Sequence, residues 1–174
     1  MSKRNNICLP QLADVPMPLY KSMQGKYFVG YADNLEFSGP GISAWGSLYN
    51  PPDSNVCLHV NVWTATSLYD VFRVQIWFNA TLPGSPSLSA DVTTSNYCIE
   101  PIPQPKVRLL YASNVMGEPK SGVKAFVRRG DAQSTIVSEE DGKFIFPPGG
   151  SFTVFLSHPE TPEAQAAGRV AFGW

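Results

Sequence analysis

Charge is scarce in this sequence. Only 16% of the 174 residues are Asp, Glu, Lys or Arg, against the ~25% usual in globular domains. The 13 basic and 14 acidic residues leave a formal net charge of -1. The basic residues form no stripe, since Lys3-Arg4 and Arg128-Arg129 are isolated pairs. Nucleic-acid binding needs a concentrated positive footprint, so no nucleic-acid partner is expected. Histidine is rarer still: His59 and His158 stand alone, in no metal-ligand spacing, and no glycine-rich phosphate loop is present. No metal or cofactor is therefore expected. No apolar run approaches the ~20 residues of a membrane span. No apolar stretch follows Met1-Ser2-Lys3-Arg4, so a classical signal peptide is not expected and synthesis in the cytoplasm is. Three cysteines, Cys8, Cys57 and Cys98, make an odd count too scattered for zinc. They are read as three reduced thiols, as one bridge with one thiol left over, or as cross-links between chains.

What the chain does have is a core. With 43% hydrophobic residues it lies in the globular range, and a chain of this length suits one domain. Residues 1–24 read as an extended, Pro-rich N-terminal arm, because Pro10, Pro16 and Pro18 oppose a helix and favour open backbone. The arm still carries Ile7, Leu9, Leu12, Val15 and Leu19. Apolar residues in a segment that cannot pack on itself need a surface to cover, in the same chain or in a neighbour.

From residue 25 to 174 the period becomes two. In Val56–Thr64, alternation places Val56, Leu58, Val60 and Val62 on one face and Cys57, His59, Asn61 and Trp63 on the other. In Val71–Asn79, Phe72, Val74, Ile76 and Phe78 face a core, with Arg73, Gln75 and Trp77 opposite. Leu82–Ser87 reads as a loop, and Pro101, Pro103 and Pro105 as a stiff connector between sheets. Asp141-Gly142 between two short runs predicts a hairpin. Arg169–Trp174 is a last strand with Val170, Phe172 and Trp174 on one side. Eight to ten strands at this spacing, with no long helix, predict an all-β, antiparallel two-sheet sandwich. A jelly-roll-like topology is the first choice and an immunoglobulin-like one the second.

Few residues can carry chemistry. His158 precedes Pro159 and reads as a solvated loop residue. His59 shares a strand face with Cys57, so a Cys-His pair could activate a thiolate, but no nucleophile signature surrounds it. Glu139-Glu140-Asp141 beside the expected turn reads as a solvated tip. Trp63 and Trp77 fall on the polar-looking faces of adjacent strands. They form a candidate exposed aromatic face that would stack on a sugar or anchor a protein interface, unless these strands are buried on both sides. No enzyme activity is expected.

Three segments carry a resemblance. They are Pro18-Leu19-Tyr20-Lys21-Ser22-Met23-Gln24-Gly25-Lys26-Tyr27-Phe28-Val29-Gly30, then Glu139-Glu140-Asp141-Gly142-Lys143-Phe144-Ile145-Phe146-Pro147-Pro148-Gly149-Gly150-Ser151-Phe152, and finally Arg169-Val170-Ala171-Phe172-Gly173-Trp174. Over residues 17–174 the chain resembles an uncharacterised domain-of-unknown-function family of small proteins from spore-forming Firmicutes. More loosely, its architecture is similar to endospore appendage subunits, jelly rolls that polymerise through edge strands and a cysteine-bearing connector. It lacks the adjacent cysteine pairs of those connectors.

The resemblance implies a non-enzymatic structural protein that self-assembles into a fibre or surface layer. Its setting would be a spore or cell surface, reached after lysis of the producing cell. The candidate subunit contact is Ile7, Cys8, Leu9, Leu12, Val15 and Leu19, with a second copy as the partner. The alternative is a carbohydrate- or ligand-binding sandwich whose partner is a glycan or another surface protein.

Overall fold

A computed structural model describes residues 14–158 and 160–174. One helix and eleven strands follow in order: α1 (Met17–Met23), β1 (Phe28–Glu36), β2 (Ile42–Tyr49), β3 (Leu58–Ser67), β4 (Phe72–Phe78), β5 (Ser87–Leu88), β6 (Val92–Thr94), β7 (Arg108–Met116), β8 (Val123–Gly130), β9 (Thr135–Phe146), β10 (Ser151–Ser157) and β11 (Ala167–Gly173). They form two antiparallel sheets, of order β6-β1-β11-β3-β9 and β5-β7-β2-β10-β4-β8.

Without β5–β7, the sheets read β1-β11-β3-β9 and β2-β10-β4-β8. The pairs nest as one long rolled-up hairpin: β1 with β11, β2 with β10, β3 with β9, β4 with β8. That is the jelly roll, and it decides against the immunoglobulin-like alternative. The insertion between β4 and β8 crosses the sandwich. It adds β5 and β7 beside β2, and β6 beside β1. The Pro-rich stretch that follows β6 carries the chain from the first sheet to the second, as its stiffness suggests.

The core lies between the sheets. Leu58, Val60, Trp63 and Ala65 of β3 meet Phe72, Val74 and Ile76 of β4, Phe152, Val154 and Leu156 of β10, and Val170 and Phe172 of β11. Phe78, Phe144, Phe146 and Phe152 form an aromatic cluster, with Phe78 5.2 Å from the rings of both Phe144 and Phe146. Gly46 sits under Val170 of the facing sheet, where a Cβ would come within 2.3 Å of its Cγ2.

Two local expectations change. The first is the arm. Residues 17–23 are helical, with Pro16 at the N-cap and Pro18 in the first turn. Proline is tolerated there because first-turn N–H groups have no partner within the helix. The second is the hairpin at Asp141-Gly142. Both halves of β9 pair with β3: Thr135–Glu139 with Val62–Thr66, and Phe144–Phe146 with Leu58–Val60. Residues 140–143 are a bulge within one strand, and Asp141 and Gly142 supply its positive φ values of 50° and 75°. The same dipeptide that makes a tight turn also makes a bulge; only the pairing partner distinguishes them.

Candidate functional site

The β9 bulge decides the fate of Trp63. Opposite it, the β3–β9 register shifts between Val60 and Val62. The alternation of β3 therefore inverts: Leu58 and Val60 face the core, and so do Trp63 and Ala65. Trp63 is 1% exposed, and its Nε1 donates to Glu140 Oε1 at 3.1 Å. Ser138 also donates to that oxygen at 2.7 Å, and Lys143 Nζ meets Oε2 at 2.9 Å. Burial pushes the Glu140 carboxyl up, but the hydrogen bonds from Lys143, Ser138 and Trp63 outweigh it and hold the group below its ordinary value. Glu140 is thus a buried, satisfied anion and not a solvated tip. The Arg128 guanidinium lies 5.5 Å from the Trp63 ring centre, in the range of a cation–π contact.

Trp77 does face away from the main core, but it is covered. It packs with Trp45, Phe155 and Ala112 in a second cluster, with Ala80, Leu82, Leu110 and Val115 against it. The indole of Trp45 donates to Pro83 O at 2.8 Å and that of Trp77 to Gln75 Oε1 at 2.9 Å. The chain after β4 folds back over the outer face of the second sheet, so these strands are buried on both sides. Trp63 and Trp77 are on different faces and neither is open to a ligand.

Cys57 and His59 do stay on one face, the outer face of the first sheet. Cys57 is exposed, and His59 Nδ1 donates to Gly142 O at 3.3 Å. Among the described residues no hydrogen bond joins the two, and no carboxylate orients the imidazole. His158 is buried and not solvated, at 3% exposure. Thr161 Oγ1 stands 2.9 Å from both Asp70 Oδ2 and His158 Nε2, donating its proton to the carboxylate. In a hydrolytic triad the hydroxyl proton faces the imidazole and the acid holds the opposite ring nitrogen. Here the acid takes the hydroxyl proton, and Nδ1 has no partner among the described residues. The cluster ties the β3–β4 turn to the segment after β10. Asp70 is held below the ordinary carboxylate range by the Val71 N–H first, and by Thr161 and His158 besides.

Among the described residues no group of three or more His, Cys, Asp or Glu is placed to hold a metal ion, and no helix is long and apolar enough to cross a membrane. Cys57 and Cys98 are free and exposed. Of the candidate subunit contact, Ile7, Cys8, Leu9 and Leu12 lie outside the described residues. Val15, before α1, and Leu19, on it, are both exposed, at 40% and 53%.

Two features emerge that sequence reading missed. The first is the open side of the sandwich, where β8 and β9 are the outermost strands of their sheets. Phe126 of β8 reaches toward Phe144 of β9, 6.0 Å between ring centres, and Val123, Phe126, Val127, Val137 and Ile145 are all exposed. The strands were legible, but their position at an edge is a property of topology. The second is a cavity of about 470 Å³ at one end of the first sheet. It lies between α1, the start of β3, the 104–107 connector and Trp174. Four separated segments build it, so no local signal marks it.

Comparison with known proteins is consistent with the sequence resemblance at the level of family alone. Neither the curated proteins nor the solved structures returned a match. One family model, described as a family of unknown function, matches residues 2–174. The match runs through the whole described jelly roll, and the chain belongs to the family of unknown function DUF6143.

Proposed function

We propose that this protein is a non-enzymatic building block that self-associates, copy to copy, through its open sheet edge and its N-terminal segment. The observation that carries this reading is the contrast between the two sides of the sandwich. On one side the outermost strands are β5 and β6, of 2 and 3 residues. On the other they are β8 and β9, of 8 and 12 residues. Short edges resist pairing with another chain, whereas long uncovered ones are templates for it. Lys124, Arg128 and Arg129 guard β8, and the 140–143 bulge interrupts β9. The stretch Thr135–Ser138 has neither charge nor bulge, and its Val137 is 56% exposed.

The occupant this edge suits is an extended apolar segment, joined by backbone hydrogen bonds. Residues 7–12 carry the apolar Ile7, Leu9 and Leu12 in each copy. A donor-to-acceptor contact of this kind is head-to-tail and need not close, so a filament is the expected product. A spore-surface setting rests on the sequence resemblance. The glycan-binding alternative loses its support, because Trp63 and Trp77 are buried.

The test is negative-stain electron microscopy with light scattering on three chains: full length, residues 14–174, and full length with Val137→Lys. Filaments or large oligomers are expected for the first and monomers for the other two, with unchanged thermal midpoints. A monomeric full-length chain, or polymers that persist without residues 1–13 and with Val137→Lys, would overturn the reading.

A further inference from the structure

The cavity beside α1 carries an inference independent of assembly. Its walls combine apolar residues and lysines with the polar Cys57, His59, Asn61 and Gln104. Phe28, Val56, Val107 and Trp174 make an apolar floor, and Lys21, Lys26 and Lys106 stand around it. No acidic side chain lines it. Among the described residues none of the three lysines forms an ion pair. Elsewhere three of the eight described lysines and arginines are ion-paired: Arg129 with Asp131 and Glu160, Lys143 with Glu140, and Arg169 with Asp33. In a chain with so few charges, three unpaired ammonium groups around one apolar hollow form a concentrated positive field with low-dielectric walls, which draws anions.

The frame of the hollow is closely packed. Gly25, at φ 68°, brings the α1–β1 link against Pro103 and Ile99, so close that a Cβ would sit 2.8 Å from Pro103 Cγ. His59 is fixed by its bond to Gly142 O. The volume of about 470 Å³ is in the range of small-molecule sites, which are mostly apolar with a few placed polar groups.

We propose that this cavity binds a small organic anion, a molecule with an apolar body and a single carboxylate, sulfonate or phosphate head. The body lies on Phe28, Val56, Val107 and Trp174, and the head meets Lys21, Lys26 and Lys106. A cation would be repelled by the three lysines.

The probe is 1-anilinonaphthalene-8-sulfonate, titrated into the full-length protein and followed by its emission. Octanoate is expected to displace it and 1-octanol, at equal concentration, to do so much less well. The double variant Lys21→Glu/Lys106→Glu is expected to weaken both anions about tenfold, as reversal of nearby charges should. Cys57 lines the cavity and Cys98 does not, so alkylation by iodoacetamide locates the site. Octanoate should slow labelling of Cys57 and leave Cys98 unchanged, read by peptide mass spectrometry. The proposal is overturned if octanol competes as well as octanoate, if charge reversal leaves affinity unchanged, or if octanoate does not protect Cys57. Should the double variant fail to fold, the Cys57 protection in the natural chain decides alone. None of these readouts depends on oligomeric state, so failure here leaves the assembly reading standing, and the converse holds.

Discussion

A carboxylate with 5% of its surface exposed has to be met by donors, and Glu140 is met by three: Trp63, Ser138 and Lys143. Its folded pKa lies below its ordinary value. A depressed carboxylate adds stability that is fully present above its unfolded pKa and is lost as pH falls through its folded one. Glu140→Gln keeps the shape and removes the charge. It is expected to destabilise by about 1–3 kcal/mol near neutral pH, the usual worth of hydrogen bonds to a charged group. That gap should narrow as pH drops below the ordinary value of 4.5. Urea unfolding of both chains at pH 7 and pH 3 checks it, and a gap independent of pH would contradict it. Trp63 shows what was legible at this scale. Its strand could be read from the sequence, but its face could not, because the bulge that turns it inward belongs to β9, some seventy-five residues further along.

At the level of elements, the segment between β4 and β5 acts as a lid on the outer face of the second sheet. Ala80 and Leu82 pack on Trp77 and Trp45, and Pro83 O accepts the Trp45 N–H. Leu82→Ser is expected to loosen this cover. Tryptophan emission should shift to the red, acrylamide quenching should rise, and stability should fall by about 1–3 kcal/mol, as for other losses of apolar packing. Unchanged quenching would show that the lid does not depend on this side chain. The same segment reads as a Pro/Gly/Ser loop in the sequence, which is right about its backbone. Its role as a cover follows only from where β4 ends. α1 teaches the converse lesson: Pro16 and Pro18 are breakers in a helix interior and compatible at its start, so proline content alone misplaces the helix.

For the whole molecule, the nested pairing makes folding a long-range problem. Val29 pairs with Gly173, and Ser151–Ser157 with Ser43–Tyr49. Few of these pairs can form before distant parts of the chain meet. The main refolding phase is therefore expected on the millisecond-to-second scale typical of such all-β topologies, not in microseconds. Stopped-flow fluorescence after a urea jump measures it, and a microsecond phase that recovers the full signal would contradict the nested order as the rate-setting feature. The same topology leaves one side of the roll with stub edges and the other with β8 and β9, which is why the assembly proposal names a side.

The sequence by itself determined the class of fold. Period-two alternation, turn residues at short spacing and the lack of any long helical stripe left an antiparallel sandwich as the consistent solution. Alternation also placed Phe72, Val74, Ile76, Val170 and Phe172 in the core. These features are local, set by which way successive side chains point. Tertiary structure decided everything that depends on a partner strand. It turned Asp141-Gly142 into a bulge, inverted β3 at Trp63, and buried Trp77 beneath a loop. It also gathered Lys21, Lys26, Lys106 and Trp174 from three segments around one cavity. A strand carries its alternation within itself, but its register, its edge and the hollow it borders exist only once another part of the chain lies beside it.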